Sequence, residues 1–243
     1  MKLRGNTILI TGGTSGIGLT LASRFFRDGN TVIVCGRRKE RLDEIENKYP
    51  GIYTRVCDLS KESERVALFE WAQKKFPKLN VLVNNAGIQR RFQVPPAEPW
   101  SETAQELKVN LEAPIHLSFL FTPHLEKQKN SMIINISSGL AFAPISFMPV
   151  YCATKAAIHS FTLSIRHVLV KKSIEVVEIV PPAVNTDLGG AGLHLKDTPL
   201  DLFADAVMIQ LGEGKKEITY GTSAKNSMAS REELDAIFLR MNP

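Results

Sequence analysis

Thr7-Ile8-Leu9-Ile10-Thr11-Gly12-Gly13-Thr14-Ser15-Gly16-Ile17-Gly18 joins a short apolar, β-branched run to a glycine-rich turn and then to an amphipathic stretch over 16–28. Glycines in such a turn permit a tight reversal and let a diphosphate approach backbone N–H groups at the start of a helix. The spacing is not G-x-G-x-x-G, and no Gly-Lys-Ser/Thr follows. Its place after a strand and before a helix favours phosphate binding over a purely structural loop. The same alternation continues along the chain. Apolar runs near 31–35, 52–57, 80–84, 131–137, 174–180 and 216–220 read as strands, and helical patterns fall near 38–48, 60–76, 103–127 and 151–171. Strands that alternate with helices predict an α/β domain built on a doubly wound parallel sheet of about seven strands, with helices on both faces. Ile133, Ile134 and Ile136 suit a strand buried on both sides, with Ser137, Ser138 and Gly139 at its C-terminal end, where ligands of such sheets bind.

At 243 residues, with 44% hydrophobic and 23% charged side chains, the chain predicts a single soluble domain over 1–243. The start lacks a secretory apolar core and nothing later approaches a membrane span, which predicts a cytoplasmic protein. Cys35, Cys57 and Cys152 have neither metal-ligand nor redox spacing, and the five histidines show no metal pattern. The net charge of +5 is scattered rather than striped, which argues against a nucleic-acid partner.

Tyr151 and Lys155 stand four apart in Tyr-Cys-Ala-Thr-Lys, a spacing that puts phenol and ammonium on one helix face. A neighbouring ammonium favours the phenolate, so Tyr151 is expected to exchange a proton close to neutral pH. The second strand ends Cys35-Gly36-Arg37-Arg38, with no acid for a ribose 2′-hydroxyl. Arg37 instead offers a guanidinium to a 2′-phosphate, which favours NADP(H) over NAD(H).

Taken with Asn84-Asn85-Ala86-Gly87, Asn110, Ser138 and Tyr151-x-x-x-Lys155 in this order, the chain resembles the short-chain dehydrogenase/reductase family over about residues 5–190. Within the family it is most similar to the DltE-type bacterial oxidoreductases, through Val150-Tyr151-Cys152-Ala153-Thr154-Lys155 and the segment from Pro181 to His194. The resemblance implies a Rossmann-type fold and hydride transfer between NADP(H) and a carbonyl or alcohol. It implies Tyr151 as general acid/base, Ser138 as donor to the substrate oxygen, Lys155 on the nicotinamide ribose, and Asn110 holding a water of a proton relay. Gly12, Thr14, Ser15, Gly16, Ile17 and Gly18 would face the diphosphate. Asp58 and Leu59 would meet adenine, Asn84, Ala86 and Gly87 the adenosine ribose, and Ile136, Pro181, Val184 and Thr186 the nicotinamide.

A small, largely apolar substrate is expected among Leu140, Phe142, Phe147, Met148, Val184 and Leu188, with Arg90 or Arg91 at the rim. Residues 188–213 are expected to form a lid and 222–243 an atypical C-terminal extension, with a capping box at Ser230 and Glu233. Family relatives pair through the helices near 103–127 and 151–171, which implies a homodimer or homotetramer. A cofactor-binding regulatory protein and a sugar-nucleotide epimerase or dehydratase are the competing functions.

Overall fold

In the computed structural model, which describes residues 3–93 and 99–242, seven parallel strands form one sheet in the order β3-β2-β1-β4-β5-β6-β7. The strands are β1 (Thr7–Thr11), β2 (Thr31–Gly36), β3 (Tyr53–Val56), β4 (Val81–Asn84), β5 (Ser131–Ile136), β6 (Ile174–Val180) and β7 (Glu217–Thr219). Their side chains alternate between two cores. Ile8, Ile10, Val32 and Val34 face α1 (Gly16–Arg27), α2 (Lys39–Lys48) and α7 (Leu200–Gly212), meeting Phe25, Leu42, Phe203 and Val207. Leu9, Ile33, Leu82 and Ile133 face α3 (Glu62–Lys75), α5 (Ala113–Leu125) and the end of α6 (Pro149–Leu169), meeting Leu68, Leu117, Phe121 and Leu169. A strand with apolar residues on both faces has no solvent side, which is why these runs read as continuous hydrophobic sequence.

The helix expected over 103–127 is interrupted. It runs as α4 (Trp100–Leu107), a π-turn (Lys108–Glu112) and α5. Pro114, at the start of α5, has no N–H to donate to the carbonyl of Asn110, so the ladder widens there instead of continuing. Asn110 is thereby set at an irregular point of the backbone, a place where functional side chains recur.

Residues 200–212, part of the expected lid, form a core helix instead. Phe203, Ala204 and Val207 are fully buried, and Arg24 of α1 holds α7 through Asp201 at 3.1 Å and Asp205 at 2.8 Å. The C-terminal extension carries α8 (Thr222–Met228) and α9 (Arg231–Met241), and α9 opens with the expected capping box of Ser230 and Glu233. On α6, Ala153, Ala156, Ser160 and Ser164 are exposed rather than packed on the sheet, beside the exposed Leu163 and Val168. No helix of the described residues is long and apolar enough to cross a membrane.

Candidate active site

The strand order turns between β1 and β4, and at that switch the loops leaving the sheet diverge to either side and open a crevice. A cleft of about 1120 Å³ occupies it. Gly12, Thr14, Ser15, Gly16, Ile17 and Gly18 line one end, and Ser138, Tyr151 and Lys155 line the other. Gly12 has a φ of +64°, and a Cβ there would stand 2.7 Å from the Cα of Ala86, so only glycine lets the turn lie against the end of β4. Ser15 makes no side-chain cap on α1. The leading N–H groups of that helix therefore stay open to an anion lying in the cleft. Gly36 gives similar room, since a Cβ would come within 2.7 Å of the Thr14 side chain. Arg37 is exposed at this end, and Arg38 lines the wall beside it. An uncapped helix start and glycines that let the backbone lie close to a ligand fit a nicotinamide dinucleotide.

At the other end, β5 delivers Ser138, and the first turns of α6 present Tyr151 and Lys155 from one face. The Ser138 hydroxyl accepts the Leu140 N–H at 3.1 Å and is also hydrogen-bonded to the Tyr151 phenol. Lys155 donates from Nζ to the carbonyl of Ile136 at 2.8 Å and lies 5.5 Å from the centre of the Tyr151 ring. The expected drop in the tyrosine pKa is not found. Burial pushes the phenol well above its ordinary value, and the Ser138 hydrogen bond only partly offsets this. Burial also pushes Lys155 down, to about 8, with Glu106 and Glu178 pulling it back toward the charged form. An ammonium turned toward a carbonyl, above the ring rather than at the phenol oxygen, does not dominate that oxygen's charge.

Leu59, Ala86, Gly87, Ile136, Pro181, Val184 and Thr186 all line the cleft as expected. Asn84 does not. Its amide points behind the sheet end, donating to Asn135 at 2.9 Å and Ser118 at 3.2 Å, and Asn85 takes the place on the wall. Asp58 is likewise off the wall, accepting the N–H and hydroxyl of Ser60, while Cys57 and Leu59 on either side reach it. Asn110 clamps the main chain of Ile88, with N–H to Oδ1 and Nδ2 to carbonyl both 2.7 Å, and reaches Thr154 at 3.3 Å. A Cβ on Gly87 would be 3.8 Å from both Asn110 Oδ1 and Lys155 Nζ, so the two groups look onto one small space.

Leu140, Phe147, Met148 and Leu188 line the cleft near Ser138, but Phe142 turns away and packs edge-on against His159, 4.6 Å between ring centres. That histidine pairs with the fully buried Glu178 at 2.9 Å, so Phe142 covers a structural ion pair rather than a substrate. Arg90 is drawn inward to Glu102 at 2.5 Å and Gln105 at 2.7 Å, whereas Arg91 remains at the rim over the Phe147 ring. Residues 188–197 form successive turns fastened by His194, whose ring bonds Asp197 at 2.6 Å and the Leu188 carbonyl at 3.0 Å. Leu193 and Leu195 of this segment are half or more exposed, not tucked into the core.

Sequence reasoning missed Ile88, Gln89, Val109 and Ile145 of the wall, and a further group at the C-terminus. Thr222, Asn226, Ile237, Arg240 and Met241 wall the cleft, carried there by α8 and α9. Asn242 fastens this wall, accepting the Ser146 N–H and donating to the Pro144 carbonyl at 3.2 Å. No local motif signals such a contact.

The pattern of the short chain dehydrogenase family matches residues 6–193. The chain belongs to the short-chain dehydrogenase/reductase family. The uncharacterized oxidoreductase DltE of Bacillus subtilis is 46% identical over 100% of this chain and 98% of the relative. A short chain dehydrogenase from Burkholderia cenocepacia, solved in complex with NADP, matches with a TM-score of 0.85 at 24% identity over 98% of this chain and 99% of that one. A family member from Burkholderia phymatum, solved in complex with NAD, matches with a TM-score of 0.85 at 19% identity over 100% and 98%. These two share the fold. The family match ends at 193, so the C-terminal wall belongs to the part of the chain that the family pattern does not describe.

Asn242→Ala should loosen that wall without unfolding the sheet. Hydrogen exchange across 144–148 and 231–241 is expected to rise while β1, β4 and β5 stay protected, and unchanged protection of α9 would show that Asn242 is not its fastening.

Proposed function

We propose that this protein is an NADP(H)-dependent oxidoreductase that interconverts the carbonyl and alcohol forms of a small, largely apolar molecule. The observation that carries the reading is the meeting of Ser138, Tyr151 and Lys155 in one cleft with the glycine-rich turn of Thr11–Gly18. A nicotinamide cofactor bound there would supply or accept the hydride. The protein's own groups do the rest. Gly12 to Gly18 and the start of α1 bind the diphosphate, and Pro181, Val184 and Thr186 border the nicotinamide. Ser138 donates a hydrogen bond to the substrate oxygen, steadying the negative charge that grows there during reduction, and Tyr151 delivers the proton that completes the alcohol. Lys155 holds the nicotinamide ribose, with Asn110 and the space beside Gly87 as the route for the proton's replacement. Leu140, Phe147, Met148 and Leu188 exclude water around the reacting carbon, and the turns of 188–197 act as the lid.

Arg37 and Arg38 with no acid at the end of β2 support NADP(H) over NAD(H). Arg37→Ala should weaken NADPH binding roughly tenfold, the equivalent of about 1.5 kcal/mol for a charge-assisted contact, and leave NADH binding unchanged. Equal dissociation constants for the two cofactors in the unmutated protein would remove the preference.

The chemistry itself is tested by a carbonyl and alcohol panel followed by nicotinamide absorbance. Tyr151→Phe should abolish turnover while keeping the fold and most of the cofactor affinity, and Lys155→Met should damage both turnover and cofactor binding. Near-normal turnover by Tyr151→Phe would overturn the mechanism.

The exposed small residues of α6, beside the exposed Phe119 of α5, support close pairing of these helices with those of a second copy. Light scattering should return at least a dimer mass at micromolar concentration, and a monomer mass would exclude this pairing.

A further inference from the structure

Arg65 lies near the start of α3, is 1% exposed, and has no task in the mechanism above. Its guanidinium donates in three directions. Nη1 meets the Leu59 carbonyl at 2.7 Å, Nε meets His116 Nδ1 at 3.0 Å, and Nη2 meets the Glu112 carboxylate. A buried guanidinium paired with a carboxylate that is itself 53% exposed is a poor source of stability, and an apolar side chain would pack between α3 and α5 as well or better. What the planar fork contributes is geometry, because it holds several acceptors in a fixed relation to one another.

Those acceptors belong to two separate walls of the cleft. Leu59 lines it just past the end of β3, beside Cys57. That connection is otherwise fastened locally, by the Glu64 carboxylate accepting the Asp58 N–H at 2.6 Å and by Asp58 accepting the Ser60 N–H at 3.0 Å. Glu112 closes the π-turn of Lys108–Glu112, and His116 follows one turn later on α5. The same π-turn carries Val109, which also lines the cleft, and Asn110, which clamps Ile88 and reaches Thr154 beside Lys155. Leu59 and Val109 further border one small void beneath the cleft, together with Ala86 and Leu117. A π-turn interrupts the regular hydrogen-bond ladder, so its placement leans on contacts from outside its own helix. Arg65 makes such a contact, and the same group holds Leu59.

We propose that Arg65 is a positioning residue of the cofactor site, whose single buried fork fixes the wall at Leu59 and the turn of Val109 and Asn110 against each other. This rests on the reading of the cleft given above, with adenine at Leu59 and the proton route at Asn110. The consequence is a mechanical link between the two ends of the cofactor. An adenine seated against Leu59 and Val109 bears on both parts that the fork joins, and the placement of Asn110 follows from the same contact. Without the fork the two parts move separately, which weakens the grip on adenine and uncouples Asn110 from it.

The test uses the full chain with NADP⁺ and with its two halves, adenosine 2′,5′-bisphosphate and nicotinamide mononucleotide. Arg65→Met should weaken binding of adenosine 2′,5′-bisphosphate roughly tenfold and leave nicotinamide mononucleotide unchanged, a split that a general loss of packing would not produce. Asn110 gives the second readout. In nitrogen-15 NMR, saturating adenosine 2′,5′-bisphosphate should shift the Asn110 side-chain amide of the unmutated chain, and that shift should vanish in Arg65→Met. Should Arg65→Met fail to fold, Glu112→Ala decides, because it removes a half-exposed side chain and cuts the link to the turn from its other end. The Asn110 response should vanish there too. Unchanged or equally weakened binding of the two halves in folded Arg65→Met, or an Asn110 response that survives either substitution, would overturn the proposal. Failure of NADP⁺ to bind the unmutated protein would instead overturn the functional reading beneath it.

Discussion

The parallel register of β4, β5 and β6 is the constraint on which the rest depends. Val81 pairs with Met132 and Asn84 with Asn135, and Ile134 pairs with Val177 and Ile136 with Ile179, so three strands end side by side. Every segment that leaves them must begin on the same edge. The end of β4 passes to Asn85-Ala86-Gly87, the end of β5 to Ser138, and the end of β6 to Pro181. The bond from Lys155 Nζ to the Ile136 carbonyl then fixes the start of α6 to the end of β5. That bond sets where Tyr151 stands relative to Ser138. Side chains supported by a packed sheet lose little geometry to thermal motion.

Burial produces opposite effects on the two central groups. It favours the neutral form of each, raising the phenol and lowering the ammonium. Sequence spacing announces that Tyr151 and Lys155 meet, because i and i+4 on a helix are neighbours whatever surrounds them. It cannot announce their charge states, which depend first on burial and then on Ser138, Glu106 and Glu178.

The same division runs through the whole molecule. The strand runs were legible because residues such as Ile8 to Ile10 and Ile133 to Ile134 are apolar on consecutive positions, and each observed strand lies within a residue or two of its expected place. The glycine-rich turn was legible because its demand is on the backbone itself, as Gly12 shows. The break at Asn110 was hidden until Pro114 was related to the carbonyl four residues before it. Asn84 carries a motif letter but serves the interior, since Asn135 and Ser118 claim its amide from other elements. Phe142 was misplaced for a similar reason: an aromatic near Ser138 suggests a pocket wall, yet His159 on α6 offers it a packed edge. The wall of α8 and α9 left no signal because it joins Asn242 to Pro144, 98 positions away.

That wall has a consequence for how such a protein changes over evolutionary time. Ser138 follows a strand that two cores brace, and Tyr151 and Lys155 are buried on α6, whereas Ile237, Arg240 and Met241 stand on a helix that has no buried residue of its own. Substitutions in α9 disturb little packing, so they are cheap in stability and can accumulate where a change at β5 would be lost. The wall of the cleft can thus vary at one end of the polypeptide while the ends of β4 and β5 stay as they are.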